Sequence, residues 1–136
     1  HIEADKLQHV MTLKSAVIAV RDVPVGDTVG YANTWVAQRL SKIATVAIGY
    51  GDGYPRHAPN GTPVLIKGQR VGLAGRVSMD MISIDVTDIE DVQLGDEVIL
   101  WGAALTANEV ASHVGTIGYE LMTRVPERMP RVYINR

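Results

Sequence analysis

The sequence predicts a mainly β domain, a small closed or partly open barrel carrying one late short helix. Six or more short, β-branched runs are separated by turns rich in glycine and proline. Helix signals gather only after Thr106, so the strand-helix alternation of a parallel α/β sheet is missing. At 136 residues the chain fits one domain with a real core.

Residues 1–11 are polar, hold no sustained period and read as a lead-in from an upstream domain, with residues 12–136 forming the β-domain. The start, His1-Ile2-Glu3-Ala4, has no initiator methionine, which suggests a piece of something longer. The run 13–23 suits a strand buried on both faces in its middle, and Pro24-Val25-Gly26-Asp27 punctuates it. Residues 28–36 resume extended structure, and residues 42–50 form the next strand, ended by Gly51-Asp52-Gly53. A strand at 63–66 turns through Lys67-Gly68 into one at 70–77. In 81–86, Ile82, Ile84 and Val86 alternate with Ser83 and Asp85. An acidic turn at 88–91 precedes a strand at 97–101. Thr106 is placed to cap a helix with Glu109 at the capping-box position, Val110 and Val114 on one face, and Gly115 to stop it. Residues 119–124 could add a helical turn and 131–134 a closing strand. Val25-Gly26-Asp27-Thr28-Val29 and Leu94-Gly95-Asp96-Glu97-Val98 read as the same turn used twice.

Composition narrows the function. Lysine and arginine number 13 against 15 acidic residues, so the net charge of −2 points to no nucleic-acid or anionic-membrane surface. The absence of cysteine fits a reducing compartment, with cytoplasm the default. No apolar run reaches the ~18 residues needed to span a bilayer. His1, His9, His57 and His113 lack ligand spacing, so no metal site is expected.

Tyr31, held between small residues, is a candidate acid/base, although a free tyrosine titrates near pH ~10 and needs neighbours that stabilise its phenolate. Spacing alone favours a tyrosine that packs its ring inside and wets its hydroxyl. The stretch Gly49-Tyr50-Gly51-Asp52-Gly53-Tyr54-Pro55-Arg56 is no phosphate loop: the glycine pattern is wrong and Pro55 blocks a following helix. It reads as a loop displaying Tyr50, Tyr54 and Arg56 at a ligand mouth or interface. In Arg76-Val77-Ser78-Met79-Asp80-Met81, the methionines are either core fillers or frame a Met79 backbone amide that donates to an anion, with Asp80 orienting a neighbour. Asp52, Asp80 and Asp85 could be paired carboxylates, but nothing in the sequence fixes their separation.

The blocks Met11-Thr12-Leu13-Lys14-Ser15, Val29-Gly30-Tyr31, residues 47–56, residues 75–81 and Gly118-Tyr119-Glu120-Leu121-Met122 resemble, in order, the carboxy-terminal domain of bacterial alanine racemase. That family pairs a pyridoxal 5'-phosphate-binding (β/α)8 barrel, which carries the Schiff-base lysine, with a β-domain of this kind. The resemblance implies an isomerase interconverting L- and D-alanine for peptidoglycan, working as a homodimer in which each β-domain completes the partner's site. It implies Tyr31 as the second acid/base, Tyr50 at the entryway and the Met79 backbone at the substrate carboxylate. Asp80 follows as in alanine-selective members, whereas broad-specificity relatives tend to carry asparagine there. The cofactor lysine and phosphate site would lie on the barrel, so the chain alone is expected to be inactive, with no cofactor-binding residue of its own. Glu127 stands where some members have a phosphate-contacting tyrosine, and no phosphate contact is carried over there. Racemisation moves the α-proton from one face to the other, which suits two bases on opposite sides. The rival reading is a non-catalytic ligand- or nucleic-acid-binding β-barrel, against which stand the slight acidity and the lack of phenylalanine.

Overall fold

The computed structural model describes residues 11–30, 33–115 and 132–133. Its spine is β1 (Met11–Val23). The early part of β1 pairs antiparallel with β8 (Glu97–Trp101) and the later part with β4 (Ser41–Val46). Beyond these lie β5 (Pro63–Ile66) and β6 (Gln69–Gly72) on one side and β7 (Ile82–Asp85) on the other, giving the order β6-β5-β8-β1-β4-β7. β9 (Val132–Tyr133) pairs with the start of β1. A separate hairpin joins β2 (Thr28–Val29) to β3 (Trp35–Val36).

The sheet curls because β1 is not regular. Its register on β4 jumps from Val17↔Val46 to Ala19↔Thr45, leaving Ile18 as an extra residue, and a second shift falls between Leu13 and Lys14. Bulges of this kind bend a strand and tighten its twist; the passed-over Ile18 stays 50% exposed. The curl brings the two ends of the sheet together just after β6, where Leu73 bridges Ile84 and the Ala74 N–H donates to the Ser83 carbonyl at 2.9 Å. The result is the partly open barrel that the sequence predicts.

The main core fills the inside of the curl with Leu13, Val46, Ile48, Ile66, Ile84, Leu100 and Trp101. Val23, Val29, Ala37, Ile43 and Ala74 form a smaller second cluster, with Trp35 against it. β4 therefore packs on both faces, Ile43 towards the second cluster and Ala44 and Val46 towards the first. Burial in the second cluster is what fastens the β2–β3 hairpin to the sheet. The helix α1 (Ala107–Val114) is capped as expected: Thr106 Oγ1 accepts the Glu109 N–H at 3.2 Å, and Gly115 ends it at φ 82°. The Glu109 carboxylate, rather than reaching back to the cap, grips Arg70 on β6 in a two-bond ion pair. Among the described residues no helix is long and apolar enough to cross a membrane.

Several boundaries depart from the sequence expectation. Residues 28–36 are not one extended strand but a hairpin, because Gly30 at φ 83° and Asn33 at φ 54° reverse the chain. The 42–50 strand stops at Val46, and Tyr50–Asp52 forms a 3-10 turn. The 70–77 strand stops at Gly72, before Gly75 at φ 90° turns the chain. The repeated pentapeptide is the same turn built twice. Asp27 N–H donates to Pro24 and Asp96 N–H to Gln93, both at 3.1 Å, with Gly26 and Gly95 left-handed and Val25 and Leu94 on the exposed corner. The expected helical turn at 119–124 lies outside the described residues.

Candidate active site

Beside the β2–β3 hairpin, Thr34, Tyr50, Arg56, His57, Asn60, Arg76, Ser78 and Met79 line much of a cleft of about 710 Å³. Backbone packing builds its floor. A Cβ on Gly49 would lie 2.6 Å from the Asp80 amide nitrogen, and one on Gly51 2.9 Å from the Met79 carbonyl oxygen. Only glycine lets these two segments lie so close. The approach is bonded as well as tight: Tyr50 N–H donates to Ser78 at 3.0 Å and Gly51 N–H to Met79 at 2.8 Å. Asp52 Oδ2 accepts the Gly49 N–H at 3.1 Å, so that carboxylate shapes the turn.

The Ser78 hydroxyl organises the facing turn. It accepts the Met81 N–H at 3.1 Å and donates to the Met81 carbonyl at 2.9 Å, with Asp80 Oδ1 a longer acceptor at 3.3 Å. The Ser78–Met79 peptide is trans and planar, so its N–H points opposite to its carbonyl. Because that carbonyl is held on Tyr50 N–H, the Met79 N–H faces away from residues 49–51. Among the described residues it donates to no acceptor. The Met79 side chain is 64% exposed and Met81 is exposed too, so neither fills the core.

Arg56 places its guanidinium carbon 4.8 Å from the Tyr50 ring centre, a cation–π contact that fixes both at the mouth. Tyr54 is not displayed with them. Gly53 at φ 96° turns the chain inward, and Tyr54 is 1% exposed, its ring stacked 6.3 Å from that of Trp101. Burial raises its phenol pKa well above the ordinary value. Tyr54 is therefore core.

Tyr31 lies outside the described residues, as does Glu127. The chain on either side of Tyr31 is well tied: Asn33 N–H donates to the Gly30 carbonyl at 3.2 Å, and Thr28 Oγ1 donates to Asn33 Oδ1 at 2.8 Å. Gly30 crosses directly over Gly75, where a Cβ would lie 2.8 Å from the Val29 carbonyl oxygen. Of the residues singled out by sequence, Tyr50 and Met79 are thus brought together, with Asp80 next to them. Asp85 is elsewhere, on β7, bonded to Thr87. Ser78, Asn60 and Arg76 were not identified; Asn60-Gly61 could have been read only as a turn dipeptide. Among the described residues no group of three histidine, aspartate or glutamate side chains could hold a metal ion. The cleft combines cationic side chains with an outward amide, which suits a small carboxylate or other anion.

Fold and cleft together define a curled antiparallel β-domain that presents a cleft lined by Arg56, Arg76 and Met79 beside a tightly held hairpin. Residues 10–133 match the family model of the alanine racemase C-terminal domain, and the chain belongs to that family. It is 63% identical over 128 residues to alanine racemase of Stutzerimonas stutzeri, covering 94% of this chain and 36% of that protein. The crystal structure of the biosynthetic alanine racemase of Pseudomonas aeruginosa superposes with a TM-score of 0.85 at 53% identity, over 88% of this chain and 33% of that one. Alanine racemase of Bartonella henselae, solved with covalently bound pyridoxal phosphate, superposes with a TM-score of 0.83 at 35% identity, over 89% and 34% respectively. The chain spans about a third of the length of the curated relatives it matches.

Proposed function

We propose that this chain is the carboxy-terminal β-domain of a pyridoxal 5'-phosphate-dependent alanine racemase that interconverts L- and D-alanine. In this reading it supplies Tyr31 as one acid/base and the Met79 amide as a carboxylate donor to a site completed by the amino-terminal barrel of a partner subunit. The carrying observation is the Ser78–Met79 peptide, pinned through its carbonyl on the Tyr50 N–H so that its own N–H faces away from residues 49–51, at a cleft that Tyr50, Arg56 and Met79 line together. Tyr50 narrows the mouth, and Asp80 supports the turn through Ser78.

Pyridoxal 5'-phosphate, when bound, supplies the electron sink that makes the α-proton acidic. The cleft fits the substrate side of that chemistry and not attachment of the group. Its basic lining residues are Arg56, His57 and Arg76, whereas Lys14 and Lys42 sit on strands and Lys67 on a hairpin turn. No step is assigned to the cofactor's attachment in this chain. The phenolic oxygen of Tyr31, as phenolate, takes the α-proton of one antipode and, as phenol, returns a proton in the reverse direction. The cationic neighbours that hold it as phenolate would come from the partner's barrel.

The test is Tyr31→Phe in the full-length protein, following α-deuterium wash-in for each antipode alongside inversion. The antipode that needs Tyr31 as base should lose roughly two to four powers of ten in exchange rate. The other should still exchange, faster than it inverts. Equal exchange from both antipodes at near-parent rates would make Tyr31 a packing residue.

A further inference from the structure

Asn60 belongs to no core and to neither hairpin strand, yet its side chain touches both halves of the site. Its Nδ2 donates to the Thr34 carbonyl at 2.8 Å, and its Oδ1 accepts the Gly75 N–H, also at 2.8 Å. Thr34 follows Tyr31 by three residues; Gly75 precedes Met79 by four. We infer that Asn60 is a positioning residue, its amide clamping the backbone that carries Tyr31 to the backbone that carries Met79. The inference rests on the reading under Proposed function.

The clamp stands on a rigid base. Asn60 occupies the corner of a turn closed by Thr62 N–H on the Pro59 carbonyl at 3.1 Å, and Thr62 Oγ1 donates to the same carbonyl at 2.7 Å. Gly61 N–H donates to Leu73 at 2.9 Å and Leu73 N–H to Thr62 at 3.0 Å, which sets the turn on the end of β6. On the opposite flank of residues 31–32, Gly30 rests on Gly75 at backbone contact. The chain flanking Tyr31 is thus set directly on residues 75–76 at Gly30 and tied to Gly75 through Asn60 at Thr34. One side chain with a donor and an acceptor at opposite corners of a planar amide can serve both sites, and among side chains of this length only asparagine has them. Aspartate would keep the Gly75 bond but set an anion against the Thr34 carbonyl. Cleft-lining Asn60 is itself exposed, so a packing role does not account for it.

A misplacement of ~1 Å of a reacting group costs on the order of a hundredfold in rate. In the full-length protein, Asn60→Ala and Asn60→Asp should therefore cut α-deuterium exchange of the Tyr31-dependent antipode by roughly ten- to a hundredfold. Exchange of the other antipode should hold, with the circular dichroism of the parent retained. Tyr31→Phe, measured in parallel, defines which antipode that is. A loss equal for both antipodes, or no loss, with Tyr31→Phe selective, overturns the clamp and leaves the proposed function standing. A Tyr31→Phe variant that is itself unselective overturns the proposed function and the clamp with it. Should neither Asn60 variant accumulate as folded protein, Asn60 is a folding residue and the inference is overturned.

Discussion

Gly49→Ala probes the contact on which the Met79 amide depends. At φ −147° the Gly49 backbone is open to any residue, so alanine brings no conformational strain, only volume. Its Cβ would stand 2.6 Å from the Asp80 amide nitrogen, whereas ordinary contact begins near 3.4 Å. The Ser78 carbonyl oxygen would lie nearer still, so the 78–80 backbone must withdraw by at least about 0.8 Å. That retreat stretches the bonds from Tyr50 to Ser78 and from Gly51 to Met79, now 3.0 and 2.8 Å, past useful length. Two such bonds at about 1 kcal/mol each, with overpacking of about 1–3 kcal/mol partly relieved by their loss, give a destabilisation of about 2–4 kcal/mol. Urea unfolding of the 136-residue chain should show it as a lower midpoint at constant slope. In the full-length protein the displaced amide should lower kcat/KM for alanine by up to about a hundredfold. Gly95→Ala is the control: nothing lies within 4 Å of its Cβ, and the left-handed backbone at φ 90° charges about 1–2 kcal/mol. That variant should lose stability and keep kcat/KM. Parent-like midpoint and kcat/KM in Gly49→Ala, or equal kcat/KM losses in both variants, would refute the reasoning.

Tyr54 Oη is buried and makes no hydrogen bond among the described residues, so Tyr54→Phe should hold or raise the urea midpoint, a gain of up to ~1 kcal/mol in unfolding free energy; a marked fall would reveal a partner for the hydroxyl. The Arg70 hydrogen bonds hold the Glu109 carboxyl below its ordinary pKa, so this pair stabilises the fold above that ordinary value and ceases to as pH falls through the depressed one. Glu109→Gln should accordingly be less stable than the parent at neutral pH and converge with it in acid; a gap constant with pH would contradict this. The isolated chain, with Val25, Val36, Leu40 and Leu94 exposed, should bind a hydrophobic dye and self-associate as concentration rises, which sedimentation checks; a monomer at every concentration that binds no dye counts against it.

What the sequence determined by itself is whatever is local. The cap at Thr106 and stop at Gly115, the strands Pro63–Ile66 and Glu97–Trp101, and the twin turns at Gly26 and Gly95 depend on residues a few positions apart, and each stands as predicted. The ordered blocks, each weak alone, likewise sufficed for the family. Tertiary structure decided what depends on partners far along the chain. Tyr50 and Tyr54 are near-equivalent in a glycine-rich run, and only Trp101, dozens of residues later, makes Tyr54 core while Arg56 holds Tyr50 at the mouth. Met79 and Met81 look like core fillers until the close approach of Gly49 and Gly51 turns their loop outward. Asn60 carries no local sign of its reach to Thr34 and Gly75, 26 and 15 residues away. A hydrogen bond closing so long a loop is selected by the folded sheet that brings its ends together, since short-range pattern encodes backbone preference and not the distance between strands.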